Sequence, residues 1–291
     1  MGNEDKNIIS LIALIDDPDE EIFTAVRQKL VSLGVTYLPE LEKALSSAET
    51  LLQHERLDNI IIEIKNNTLG DRIVQWANAE KRSLIDGWIL VSSIQHPDIS
   101  SERINRLIQQ LVNDVWLELN DTLTSLEMTS VINHIFFDLH HYEINISDLA
   151  APENCFIDSL LISKNGNHIS LMLLYYILGK QLQLPIIPVS FKQNLLLGYY
   201  DPTVALEAFG KDADPYLFYI NPEHKGAIIG TRELEYIMQK ESKELRNSRV
   251  IEDDLSLIKK LLYFVKRTYQ TRGQHDKANL AEQLLVKLQK V

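Results

Sequence analysis

Residues 165–185 read NGNHISLMLLYYILGKQLQLP. A polar turn containing glycine opens into a helical stretch that is apolar on every side, and a proline closes it. A helix with no polar face has to be buried. Short apolar runs follow in PIIPVSF, NLLLGYY and LFYINPE. A buried helix that leads into a small sheet is how several folds present a cysteine nucleophile, because the positive helix end stabilises a thiolate. No cysteine stands at this helix start.

Working toward the N-terminus, the first segment is helical. LIALIDDPDEEIFTAVRQKLVSLGVTYLPELEKAL carries Leu11, Ile15, Ile22, Val26, Leu30, Leu38, Leu41 and Leu45 at three-to-four spacing. Pro18 is expected in the first turn of a helix and Gly34 at a C-cap. A third periodic run, 51–64, is expected to break at Asn66-Asn67-Thr68-Leu69-Gly70. The DDPD turn and the LPEL sequence are similar to a single HEAT-type repeat, a helix pair that needs neighbours to bury its faces. Helical periodicity continues through 101–120, behind the cap residues Ser100 and Ser101, and through SLEMTSVINHIFFDLHHY.

Working toward the C-terminus, strands are expected at Ile186–Phe191, 195–200, 217–221 and Ala227–Ile229, with 211–215 a loop. Two final helices, 255–270 and 276–290, part at Arg272-Gly273. Helices first and strands later indicate an α+β class. The expected divisions are an N-terminal helical segment over 1–70, a central core over 71–250 and a C-terminal helix pair over 251–291.

The net charge of −12 argues against a general nucleic-acid or anionic-membrane surface. The charge is uneven: residues 255–291 carry +6 and the remainder −18. That basic stretch reads as a helical surface docking on acidic neighbours. Cys155 is the single cysteine, which excludes an internal disulfide and a multi-cysteine zinc site. The N-terminus lacks a basic n-region with an apolar core, Asn7 stands where a myristoylation signal has Ser or Thr, and no apolar run is long enough to span a membrane. The expectation is a soluble, cytoplasmic protein without a cofactor.

WLELN (116–120), VINHIFF (131–137), APENCFIDSLLISKNGNHISLMLLYYILGKQLQLP (151–185) and LFYINPEHKGAIIG (217–230) together carry a resemblance. The stretch 116–230 resembles the bacterial transglutaminase-like family, whose members often end in tetratricopeptide-type helices. The resemblance implies a papain-like core, with helices packed on a small antiparallel sheet. It also implies a triad of Cys, His and an orienting Asp or Asn. The nucleophile position falls within 168–170, where Ser170 is the conventional nucleophile. Asn194 stands where the histidine is implied, and Asn221 stands at the orienting position. An amide accepts no proton near neutral pH, so the ordinary mechanism lacks its base.

Two histidines are candidate substitutes, His168 and His224. The bland reading is that Ser170 and Asn165 cap the helix. Cys155 reads as a half-buried structural thiol. His134, His140 and His141 lack the repeated four-residue spacing of a metal site, so no metal is expected. The resulting expectation is a degenerate site that binds a protein or peptide. The alternative is a hydrolase or acyl-transferase using Ser170 with a non-standard histidine.

Overall fold

The computed structural model describes residues 3–191, 194–239 and 248–291. It divides into two compact units, Met1–Gln75 and Trp76–Val291.

The first unit contains α1 (Asn3–Ala13), α2 (Glu20–Leu33), a 3-10 turn (Gly34–Tyr37), α3 (Leu38–Ser46) and most of α4 (Leu51–Ala77). The Asp19 side chain caps α2 by accepting the Glu21 N–H, so Pro18 lies just ahead of the cap rather than in the first turn. Gly34 ends α2 at φ +66°, a conformation that suits glycine. Ile8, Ile15, Val26, Leu30, Leu41, Leu57 and Ile60 form the core. Arg56 is buried beside it and donates to the carbonyls of Ile15 and Asp17, both at 2.8 Å. Its guanidinium also pairs with Glu20 and lies 4.0 Å from the Phe23 ring centre. The break expected at 66–70 does not occur, because α4 runs unbroken through it. Within it the Thr68 hydroxyl donates to the Ile64 carbonyl at 2.8 Å, so the side chain is bonded inside the helix rather than ending it.

In the second unit, α5 (Leu84–Ser92), α6 (Ser101–Glu118) and α7 (Ser125–Asn133) precede a π-helical turn (His134–Leu139). A two-residue parallel bridge joins β1 (Glu143–Ile144) to β2 (Asn165–Gly166), with a 3-10 turn (Pro152–Cys155) and α8 (Ile157–Ser163) between them. The buried helix is α9 (His168–Gln181). The strands β3 (Ile186–Phe191), β4 (Asn194–Tyr200), β5 (Tyr216–Asn221), β6 (Ala227–Ile229) and β7 (Arg249–Ile251) form one antiparallel sheet in the order β6-β5-β4-β3-β7. The α+β class and the small antiparallel sheet are as expected.

Two elements depart from the expected pattern. A helix, α10 (Pro202–Phe209), fills part of the β4–β5 connection, capped by the Asp201 carboxylate accepting from Thr203 and Val204. β7 adds a fifth strand. The remaining helices are α11 (Thr231–Met238), α12 (Asp254–Thr271) and α13 (His275–Gln289), and the last two belong to the second unit.

The register decides which residues can meet α9. Gly179 of α9 lies so close to Ile186 that an added Cβ would be 3.1 Å from its side chain. Side chains alternate along a strand, and directly paired residues share a face. Ile186 pairs with Tyr199, and Leu197 pairs with both Pro188 and Ile220. These residues therefore line the α9 face. The opposite face carries Val189, Phe191, Leu196 and Tyr219, packed with Leu234 of α11.

Candidate functional site at the start of the buried helix

The residues before α9 are shaped by a capping box. Asn167 is the N-cap, and its Oδ1 accepts the Ser170 N–H at 2.9 Å. Ser170 Oγ accepts the Asn167 N–H at 2.9 Å and donates to the Asn167 carbonyl at 3.1 Å. The cap is thus Asn167 rather than Asn165, which pairs with Glu143 in the β1–β2 bridge. The pattern N-x-x-S was present in the sequence as a capping-box signal. Gly166 is required beside it, since a Cβ there would lie 2.5 Å from Ser170 Oγ and 2.8 Å from Leu160 Cδ1.

Ser170 is 0% exposed. Its hydroxyl proton and its acceptor capacity are both directed at the backbone of Asn167, and no imidazole bonds to it. His168 occupies the first helical position, with its ring edge-on to Phe264 at 4.5 Å. Burial holds its pKa below the usual imidazole range, partly opposed by the nearby Glu223 carboxylate. His224 is exposed in a 3-10 turn (Pro222–His224) that packs against α9.

Cys155 lies at this same helix start. Asn167 Nδ2 donates to its sulfur at 3.1 Å, and Trp88 Nε1 donates to its carbonyl at 2.8 Å. The thiol is fully buried rather than half-buried. Burial pushes its pKa up to about 12, outweighing the hydrogen bonds from Asn167 and Thr268. A protonated, enclosed thiol is a weak nucleophile.

The remaining candidates sit elsewhere. Asn194 is exposed and pairs with Phe191 across the β3–β4 hairpin, its Nδ2 reaching Met238 Sδ of α11 at 3.5 Å. Lys192 and Gln193, from the stretch in which the histidine was expected, lie outside the described residues. The Asn221 side chain accepts the Glu223 N–H at 3.1 Å, and its carbonyl accepts from Gly226. Asn194 alternates in phase with Leu196, and Asn221 in phase with Tyr219. The register therefore places both amides on the α11 face, away from α9. The structure brings Ser170, His168 and Cys155 together near one helix start and does not bring Asn194 or Asn221 to it.

One connecting residue had no sequence signal. Asn133 accepts from Tyr175 Oη at 2.9 Å and donates to the Gly226 carbonyl at 2.8 Å. It fastens the turn after β5 to α9. Gly226 has φ +70°, and a Cβ there would overlap the Asn133 amide.

Among the described residues no group of three His, Cys, Asp or Glu side chains could hold a metal ion. His134 instead contacts Asp138 at 3.2 Å, and His140 contacts Asp114 at 2.8 Å. No described helix is long and apolar enough to cross a membrane. Part of the C-terminal basic charge is paired internally, in Lys260–Glu252, Lys266–Glu282 and Arg272–Asp148.

The chain is similar to F-box only protein 21 of Homo sapiens and of Pongo abelii, 28% identical over 112 residues in each case. That stretch covers 38% of this chain and 17% of each relative. No solved structure matches the chain. With residues 102–261, more than half of its length, matching the family, this chain belongs to the Transglutaminase-like superfamily.

Proposed function

We propose that this chain is a non-catalytic transglutaminase-like protein that binds a protein or peptide. The observation that carries the reading is the sealed capping box. Ser170 is fully buried, and its hydroxyl is committed to the Asn167 backbone. Cys155 supports the same reading, because its thiol is enclosed and held protonated. A fold outlasts its chemistry when the structural elements keep their packing role. In this reading the protein is a bacterial, cytoplasmic member of the family. The α12–α13 pair is its tetratricopeptide-type unit, and Ser170, Asn194 and Asn221 are the degenerate triad positions by sequence match, of which Ser170 alone stands at the start of α9.

The test incubates the purified full chain with glutamine-containing peptides and a primary amine, following ammonia release and hydrolysis. It then pans a displayed random-peptide library against the same protein. Turnover at background together with enrichment of a peptide consensus supports the reading. Turnover that disappears in Ser170→Ala overturns it and favours a hydrolase or acyl-transferase using Ser170 with His168 or His224. That alternative requires the cap to open, since the hydroxyl has no imidazole partner in its present setting.

A further inference from the structure

We infer that the corner where α6 meets α7 docks a cationic amphipathic segment of a partner, apolar side chains interspersed with Lys or Arg, on Trp116, Leu117 and Leu126. The inference rests on the peptide-binding reading and gives that binding a surface and a partner chemistry. It starts from a break in pattern along α6. Ile104, Ile108, Leu111, Val112 and Val115 form the buried stripe of this helix, and the outward row Arg106, Gln110 and Asn113 is polar. The next position of that row is Leu117, 71% exposed, and its neighbour Trp116 is 65% exposed. Leu126 stands in the first turn of α7, which packs against α6, and is 51% exposed. Trp76 and Trp88 are both buried, so Trp116 is the one tryptophan left at the surface. Single exposed leucines are ordinary, whereas large apolar side chains gathered with a tryptophan mark contact surfaces.

The charges select the occupant. Residues 107–163 hold nine Asp and Glu and no Lys or Arg. Glu118 and Asp121, exposed directly after the apolar pair, make neither an ion pair nor a hydrogen bond among the described residues. Asp114 is engaged by His140, and Glu127 by Thr124 in the capping box of α7. Free carboxylates at the rim of an apolar patch repel an acidic partner and attract Lys or Arg. Those side chains also bring apolar stems, and their charged heads can lie over an indole face. The net charge of −12 disfavours a second copy of this chain as the occupant. The apolar side chains define the surface, and the carboxylates set the sign of the partner.

The experiment titrates the full chain with a synthetic peptide of about 18 residues carrying Lys and Leu at helical spacing. Two controls of the same length replace every Lys by Glu or every Leu by Ser. Calorimetry reads affinity, and tryptophan emission reads burial of Trp116. The expected result is saturable binding of the Lys/Leu peptide with a blue shift, and no binding of either control. Trp116→Ala should weaken binding by about tenfold or more, as should the double variant Glu118→Lys with Asp121→Lys. Failure of the Lys/Leu peptide to bind, equal binding of either control, or full affinity in Trp116→Ala overturns the inference. A self-associating chain that Trp116→Ala makes monomeric in sedimentation overturns it in favour of a second copy. If Trp116→Ala does not fold, the charge-reversed double variant decides by the same criterion. A panned peptide consensus that binds Trp116→Ala undiminished removes this surface and leaves the peptide-binding reading standing. Turnover that depends on Ser170, with the Lys/Leu result intact, removes that reading and leaves the surface.

Discussion

At the start of α9, a serine, a thiol and an asparagine meet, and each polar atom is turned inward. Ser170 bonds to Asn167, Asn167 bonds to Cys155, and Trp88 closes over the Cys155 carbonyl. In the pocket beside α5, His96 contacts Asp158 at 2.6 Å, and the exposed Arg103 lines the same pocket with no side-chain partner among the described residues. The first region holds the residue types associated with nucleophiles but uses them to hold a helix. The second pairs its histidine with an aspartate and leaves an arginine exposed to solvent. Reactive capacity therefore follows free valence and access more closely than residue type.

Five substitutions would sharpen or break this contrast. The largest expected effect is from Trp88→Ala, which empties a fully buried site and removes a donor from Cys155. It should cost about 3–5 kcal/mol by urea unfolding. A loss below about 1 kcal/mol would show that the helix start is not a packed structural unit.

Next come the capping-box variants. Asn167→Ala and Ser170→Ala should each lower stability by about 1–2 kcal/mol, the usual worth of an N-cap and of a buried hydrogen-bond partner. A stable Ser170→Ala protein with altered substrate turnover would contradict the structural role.

A smaller effect concerns pH. Burial depresses the His168 pKa in the folded protein, so the unfolded chain takes up its proton first as pH falls. Stability should therefore decline on acidification from about pH 6.5 downward, and replacing His168 with Phe should flatten that decline. An unchanged slope in denaturant midpoints against pH would remove His168 from the buried shell. The smallest effect is expected from Asn194→Ala, at an exposed position on the α11 face. It should change stability by less than about 0.5 kcal/mol. A large loss of stability or of peptide binding there would reconnect that face to the function.

The legibility of the fold tracks the range of the interactions involved. The spans of β3 and β6, the all-apolar α9 and the parting of the last two helices near Gly273 follow from local periodicity and local breakers. The Asp201-Pro202 start of α10 was also readable as a cap followed by proline. The unbroken α4 was not readable, because its Asn66–Asn67–Thr68 stretch has weak helix propensity and the packed helix overrides it. β7 contributes only three residues to a sheet edge, too few for a pattern.

By itself, the sequence determined that α9 is buried, that a capping residue precedes it, that short strands follow and that no cysteine stands in its first turn. These are properties of neighbours along the chain. Only the tertiary structure decided that Cys155 arrives at Asn167 from twelve positions away, and that Asn194 and Asn221 face α11 instead of α9. It also decided that His96 meets Asp158 beside a pocket. Register and burial arise from contacts between distant segments. A one-residue change in the register of β4 or of β5 would turn that strand's asparagine to the other face, and no local pattern encodes that choice.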